Sequence, residues 1–233
     1  MLVKRDLVEF YSGLASTAEI FNAINKQNKA LEKEHSPLVL ETAPEYESNT
    51  ILEPSQVYVL SRVQNKELLD VATRICELMH EYKFKEISSV PRNAKLYGDH
   101  FTTTDYEILA RINLFNHTMN CAICSIETCK DEPQIVKDIV LVIALLHDFG
   151  KAPVIQSAYG EKNEAHEKIS AKFAEELLND FDVSQEIKDN IFVSLFNYHN
   201  EDKNKQTTIY LPLVVAADVA ARVLEKKFIK SRR

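Results

Sequence analysis

Imidazole nitrogens and carboxylate oxygens are the groups that move protons and hold divalent metals, and the chain sets one of each side by side. His147 and Asp148 close an apolar run, Ile139–Leu146 (IVLVIALL), and are followed at once by Phe149, Gly150 and Lys151. The run leaves no polar face, so its helix must be buried on all sides. A His and an Asp delivered into an interior are costly unless paired or bound to a metal. Gly150 suits the left-handed residue that closes a helix. Further polar residues point the same way at helical spacing. His117 shares a face with Leu114 and Cys121, and His166 with Ile169, Phe173 and Leu177. His199 shares one with Leu195 and Phe192, and Asp218 with Leu211, Val214 and Val215. A lone His on an apolar face is more often a hydrogen-bonded core residue than a ligand. Asp218 is harder to dismiss, because an unpaired buried carboxylate is rarely tolerated; Arg222, one turn later, is placed to pair with it. The joint pattern of His117, His147, His166, His199, Asp148 and Asp218 on successive helices suits imidazole-binding divalent metals, Fe or Mn foremost. It is too nitrogen-rich for an all-oxygen Ca²⁺ or Mg²⁺ cage.

The elements that must position these residues are helices. With 233 residues, 45% of them hydrophobic and only 4 Gly, the chain can bury a sizeable core, and its apolar spacing follows the helical period almost throughout. The fold class is all-α. Residues 3–33 read as one or two helices, 35–56 as a Pro-punctuated loop, 57–60 as a short extended segment and 65–83 as a helix. After an irregular stretch, Thr104 and Glu107 match a capping box that opens a helix running to about Cys129. The buried helix follows over 134–147, then a loop at 152–162, a helix from Asn163 to Leu178, one capped by Ser184 or Asp182, and a last one opened by Pro212 and running to about Phe228. This divides the chain into an N-terminal helical extension, 1–95, and a second domain, 96–233.

Charge and cysteine content narrow the partners. A net charge of −7 argues against nucleic acid, and the basic run Lys226, Lys227, Lys230, Arg232 and Arg233 reads as a solvated tail. The apolar run is too short to span a bilayer, and no signal peptide is visible, so no membrane is expected. Cys121, Cys124 and Cys129 crowd one helix, a poor arrangement for disulfides, and Cys121-x-x-Cys124 has no partner motif. They read as buried small hydrophobes, with Cys76, in a cytoplasmic protein. Nothing fixes the oligomeric state.

The order His117 … His147-Asp148-Phe149-Gly150-Lys151 … His166 … His199 … Asp218, with the last Asp in AADVAAR, resembles the HD superfamily of metal-dependent phosphohydrolases over roughly residues 100–228. The resemblance implies an HD-domain-like helical bundle. It implies that His117, His147, Asp148 and Asp218 hold one ion, that His166 and His199 match the extra histidines of two-metal members, and that Asp148 bridges the ions. One or two divalent ions would serve, Fe or Mn foremost, with Zn, Ni or Mg as alternatives. Asp148 and Lys151 become the catalytic candidates, Lys151 as a phosphate contact; Arg111, Lys162 and Arg222 are weaker ones. A surface position for His166 or His199 would leave one ion. The implied activity is hydrolysis of a phosphomonoester or phosphodiester in a nucleotide-like phosphorylated small molecule by a metal-activated water. Where the HD-GYP phosphodiesterases carry paired His and Gly-Tyr-Pro, this chain has Tyr198-His199-Asn200-Glu201-Asp202, which speaks against a cyclic-dinucleotide substrate. The alternative is a non-catalytic metal-binding HD module that binds a nucleotide or protein partner in signalling or in DNA transfer, since HD-like modules also occur in conjugative relaxases. The first 95 residues resemble no family.

Overall fold

The structure, a computed structural model, describes residues 52–90, 109–199 and 208–231. All of them belong to the unit Thr50–Arg233. The helices expected over 3–33, the loop over 35–51 and the capping box at Thr104–Glu107 lie outside the described residues.

Eight α-helices have both ends among the described residues, which contain no strand beyond an isolated bridge between Ser88 and Asn113. In chain order they are α1 Pro54–Leu60, α2 Lys66–Glu81, α3 Leu114–Thr128, α4 Gln134–Leu146, α5 Pro153–Tyr159, α6 His166–Asn179, α7 Gln185–Phe196 and α8 Leu211–Ser231. Two 3₁₀ turns, Phe84–Glu86 and Phe149–Lys151, join them. The fold is all-α, as the apolar spacing requires.

α4 is the axis. Every residue from Ile139 to Leu146 is buried, because α2, α3, α7 and α8 all pack around it. Its one polar core residue, Asp138, is also buried. Asp138 Oδ2 accepts from the backbone N–H groups of Gln64 (3.1 Å) and Asn65 (2.8 Å), and its Oδ1 from Gln134 Nε2 (2.7 Å). It thereby ties the entry of α2 to α4, and Asn65 itself caps α2 by accepting from Leu68 N–H. α1 and α2 therefore share one core with the later helices. Beyond α4, Phe149 carries the chain across the core, its ring stacked on Phe173 of α6 at 5.1 Å and tilted against Phe84 at 4.6 Å.

Several expectations are corrected. Residues 57–60 are helical, because Pro54 at the first helical position opens α1 and its side of Val59 and Leu60 is buried; the expected loop ends before Pro54. A single helix from 104 to 129 does not form: Asn113 accepts from Asn116 N–H at 2.8 Å and starts α3 at Leu114. Within 152–162, Pro153 again nucleates a short helix, α5, which buries Ile155. Lys226, Lys227 and Lys230 belong to the last turns of α8 rather than to a tail. Gly150 sits inside a right-handed 3₁₀ turn, so its role is not a left-handed closure. A Cβ there would overlap the carbonyl oxygen of His166 and lie 2.9 Å from the carbonyl carbon. Glycine is needed for the close approach of α6.

Candidate metal centre

α4 ends at Leu146 with His147 as its C-cap, and the turn that follows aims Asp148 inward. Both residues are buried. His147 Nδ1 donates to the carbonyl oxygen of Ala144 at 2.7 Å, one turn back, which leaves Nε2 as the lone-pair nitrogen. The turn is pinned through Ser170 of α6: Gly150 N–H donates to Ser170 Oγ (2.8 Å), and Ser170 Oγ donates to the His147 carbonyl (3.0 Å).

Three helices complete the constellation. His117 on α3 brings Nε2 to 3.5 Å from Asp148 Oδ2 and 3.2 Å from Asp218 Oδ1, the latter on α8. His147 Nε2 lies 3.4 Å from the same Asp148 Oδ2. On the other side of the carboxylate, His166 Nε2 at the start of α6 lies 3.4 Å from Asp148 Oδ1. None of these contacts is a hydrogen bond: His117 Nε2, His147 Nε2, His166 Nε2 and Asp218 Oδ1 are all buried and without a partner. Such atoms cost about 1–3 kcal/mol each if nothing satisfies them. Ligands about 2.1 Å from a common ion stand about 3.0–3.4 Å apart in octahedral or tetrahedral shells, close to the 3.2–3.5 Å found. The residues fit a divalent metal with mixed nitrogen and oxygen ligands. His117, His147 and Asp148 form one group able to hold an ion; His166, Glu167 and His199 form a second.

The second group is the more open. His166 is half-buried and His199 is exposed. The His199 ring nonetheless packs on His166 at 5.5 Å and on Tyr198 at 4.9 Å. The first position is enclosed by the core; the second lies at its mouth, where His199 is exposed but keeps a ring nitrogen within 4.8 Å of ligand atoms of His166 and Glu167, so a second position remains available despite that exposure.

The electrostatics follow from this crowding. Burial pushes the Asp148 carboxyl up, but His147, Lys151 and His166 outweigh it and hold the group well below the usual carboxylate range. Asp218 behaves likewise, held down chiefly by His117 and His147 with help from Arg222. Burial opposes a charge on His147, yet Asp148 and Asp218 raise its pKa overall. Lys151 is engaged, not merely solvated: Nζ donates to Asp148 Oδ2 (2.7 Å) and to the carbonyl of Ser89 (3.1 Å), and the side chain retains 14% exposure. Arg222 Nε stands 3.8 Å from Asp218 Oδ1, so the expected pairing is present but long. Arg111 and Lys162 are exposed. All four cysteines are buried and free; burial pushes Cys76, Cys124 and Cys129 up to about 12.

Sequence reasoning missed several neighbours. Glu225 accepts from His117 Nδ1–H, and Ser89 receives both Lys151 and Arg222. Tyr198 has a buried hydroxyl without a partner, its ring 5.4 Å from that of His147. Glu225 lies two turns beyond Asp218 and one beyond Arg222 on the same face of α8 and was legible as a buried acid. Ser89 sits in an irregular stretch with no periodic signal.

No curated protein and no solved structure matches the chain. Among the described residues no helix is long and apolar enough to cross a membrane. The family model of the HD domain matches residues 114–223, a span that contains His117, His147, Asp148, His166, His199 and Asp218. The match identifies an HD domain over these residues, consistent with the HD superfamily of metal-dependent phosphohydrolases.

Proposed function

We propose that the protein hydrolyses a phosphate ester or anhydride of a nucleotide-like small molecule, with His117, His147, Asp148 and Asp218 holding one divalent ion and His166, Glu167 and His199 offering a second position across Asp148. The observation that carries this is the convergence of three buried, unpartnered histidine nitrogens, from α3, the C-cap of α4 and α6, on the Asp148 carboxylate, with the unpartnered Asp218 Oδ1 of α8 beside His117 Nε2. Bound ions of this kind supply a Lewis acid for the phosphoryl oxygens and lower the pKa of water.

The chain's own residues do the rest. Asp148 faces both positions, one oxygen toward each. Lys151 holds that carboxylate ionised from 2.7 Å. Its remaining exposure lets the ammonium meet a phosphate arriving at the mouth, as a charge-assisted donor. Tyr198 has an unused hydroxyl in the same interior, able to donate to a phosphoryl oxygen. The resemblance to metal-dependent phosphohydrolases supports the reaction class, and the missing Gly-Tyr-Pro weighs against cyclic dinucleotides. Four free thiols suit a cytoplasmic setting.

The test is a screen of nucleoside mono-, di- and polyphosphates and diesters with added Mn²⁺ or Fe²⁺. Turnover that is lost with chelator and restored by metal supports the proposal. Stable metal binding without turnover on any phosphate ester or anhydride would overturn it in favour of a non-catalytic binding module.

A further inference from the structure

His117 Nδ1 lies 3.0 Å from Glu225 Oε1, a contact between residues 108 positions apart in the sequence. A carboxylate can only accept, so the ring nitrogen donates, and the lone pair is left on Nε2, the atom that faces Asp148 and Asp218. Glu225 is itself fixed from two further sides. Asn120 Nδ2 donates to Oε1 at 3.0 Å, and Arg222 Nη1 donates to Oε2 at 3.2 Å. Arg222 is held in turn by Ser89, Nη1 donating to Oγ at 2.9 Å and Nη2 to the carbonyl at 3.3 Å. The chain of contacts runs from Ser89 through Arg222 and Glu225 to His117, and every member except Asn120 is buried. Two of its members, Ser89 and Glu225, lie outside the matched span 114–223.

We infer that Glu225 is a positioning residue of the metal centre: it fixes the tautomer and ring plane of His117, braced by Arg222 and Ser89, so the working site extends beyond the HD-domain match at both ends. This rests on the metal-centre reading above. Buried orienters of ligating histidines govern affinity because an imidazole held by a carboxylate is a better-aimed and more basic ligand. A mere surface ion pair would do neither, but this carboxylate has 1% side-chain exposure and is shielded from bulk solvent.

The experiment uses the full chain. Zinc and cobalt affinities are measured by competition for the wild type, Glu225→Gln and Glu225→Asp. The Gln variant keeps the shape and an acceptor oxygen but loses the charge. The Asp variant keeps the charge opposite Arg222 but withdraws it from His117 by one carbon. Both should bind metal about 10- to 100-fold more weakly. In zinc-loaded wild type, long-range ¹H–¹⁵N spectra should show the His117 proton on Nδ1, a readout that needs no variant to fold. Variants that melt earlier but bind metal as tightly as the wild type would overturn the inference, as would a His117 proton found on Nε2. A wild-type protein that binds neither ion would instead sink the metal-centre reading, and the inference with it.

Discussion

Replacing Gly150 by alanine adds one methyl group at the tightest point behind the site. The new Cβ would overlap the His166 carbonyl oxygen, sit 2.9 Å from its carbon and meet Ile169 Cβ at 3.0 Å. Two of these three atoms are backbone at the first turn of α6, and Phe149, packed between Phe84 and Phe173, blocks retreat on the other side. Relief therefore requires α6 to move by about 1 Å, and His166 moves with it. Overpacking of this kind costs about 1–3 kcal/mol. For a chain of this size that lowers the melting temperature by about 2–12 °C. A misplacement of about 1 Å near the chemistry can cost ~100-fold in rate. His117 and Asp218 reside on α3 and α8, and His147 caps α4, so these three keep their places. The variant should thus retain the ion at the enclosed position and lose the one at the mouth. Differential scanning calorimetry and metal stoichiometry on the same sample read both effects. Wild-type stability and unchanged stoichiometry would refute the packing argument.

Other perturbations separate the roles of neighbouring groups. Asp148→Ala should abolish turnover and metal retention together, since one carboxylate faces both positions; a folded variant with full activity would contradict this. Lys151→Ala should leave metal content unchanged and lower kcat/KM by about 10- to 100-fold, the value of a charge-assisted bond of roughly 1.5–3 kcal/mol; steady-state kinetics with unchanged efficiency would remove it from the site. Tyr198→Phe should lower kcat about 10-fold without changing metal affinity, on the same logic for a neutral donor worth about 1–1.5 kcal/mol, and kinetics beside a metal titration tests it. In the metal-free protein the raised pKa of His147 means that its protonated form stabilises the fold fully below its ordinary value, and that this contribution is lost as pH rises through the raised one. Chelated protein should therefore melt earlier on that upward step, whereas Mn²⁺ at ~100-fold its Kd should add about 2.7 kcal/mol, or about 5–11 °C.

The legible parts of this molecule are those in which periodicity and chemistry coincide. The unbroken apolar run of α4 announced a central buried helix ending on His147 and Asp148. His117, His166 and Asp218 were readable because each interrupts an apolar face. What escaped depended on contacts distant in sequence. Gly150 looked like a helix terminator, but its need arises from the His166 carbonyl, which no local pattern reveals. Val57–Leu60 and Val154–Tyr159 are too short for helical period to distinguish them from strand or loop, and Pro at the first helical position decided both. Ser89 has no apolar face around it to mark it as inward-pointing. His199 shared the correct face, yet it falls three residues past the end of α7 and ends exposed.

The central claim is that this constellation holds catalytic divalent metal, and metal analysis of protein purified without chelator tests it most directly. Wild-type protein should carry one or two equivalents of Fe, Mn or another divalent ion per chain, and the Asp148→Ala variant, prepared in parallel, close to none. Wild-type protein that holds no ion, even after incubation with Mn²⁺ or Fe²⁺ and removal of the excess, would contradict the account.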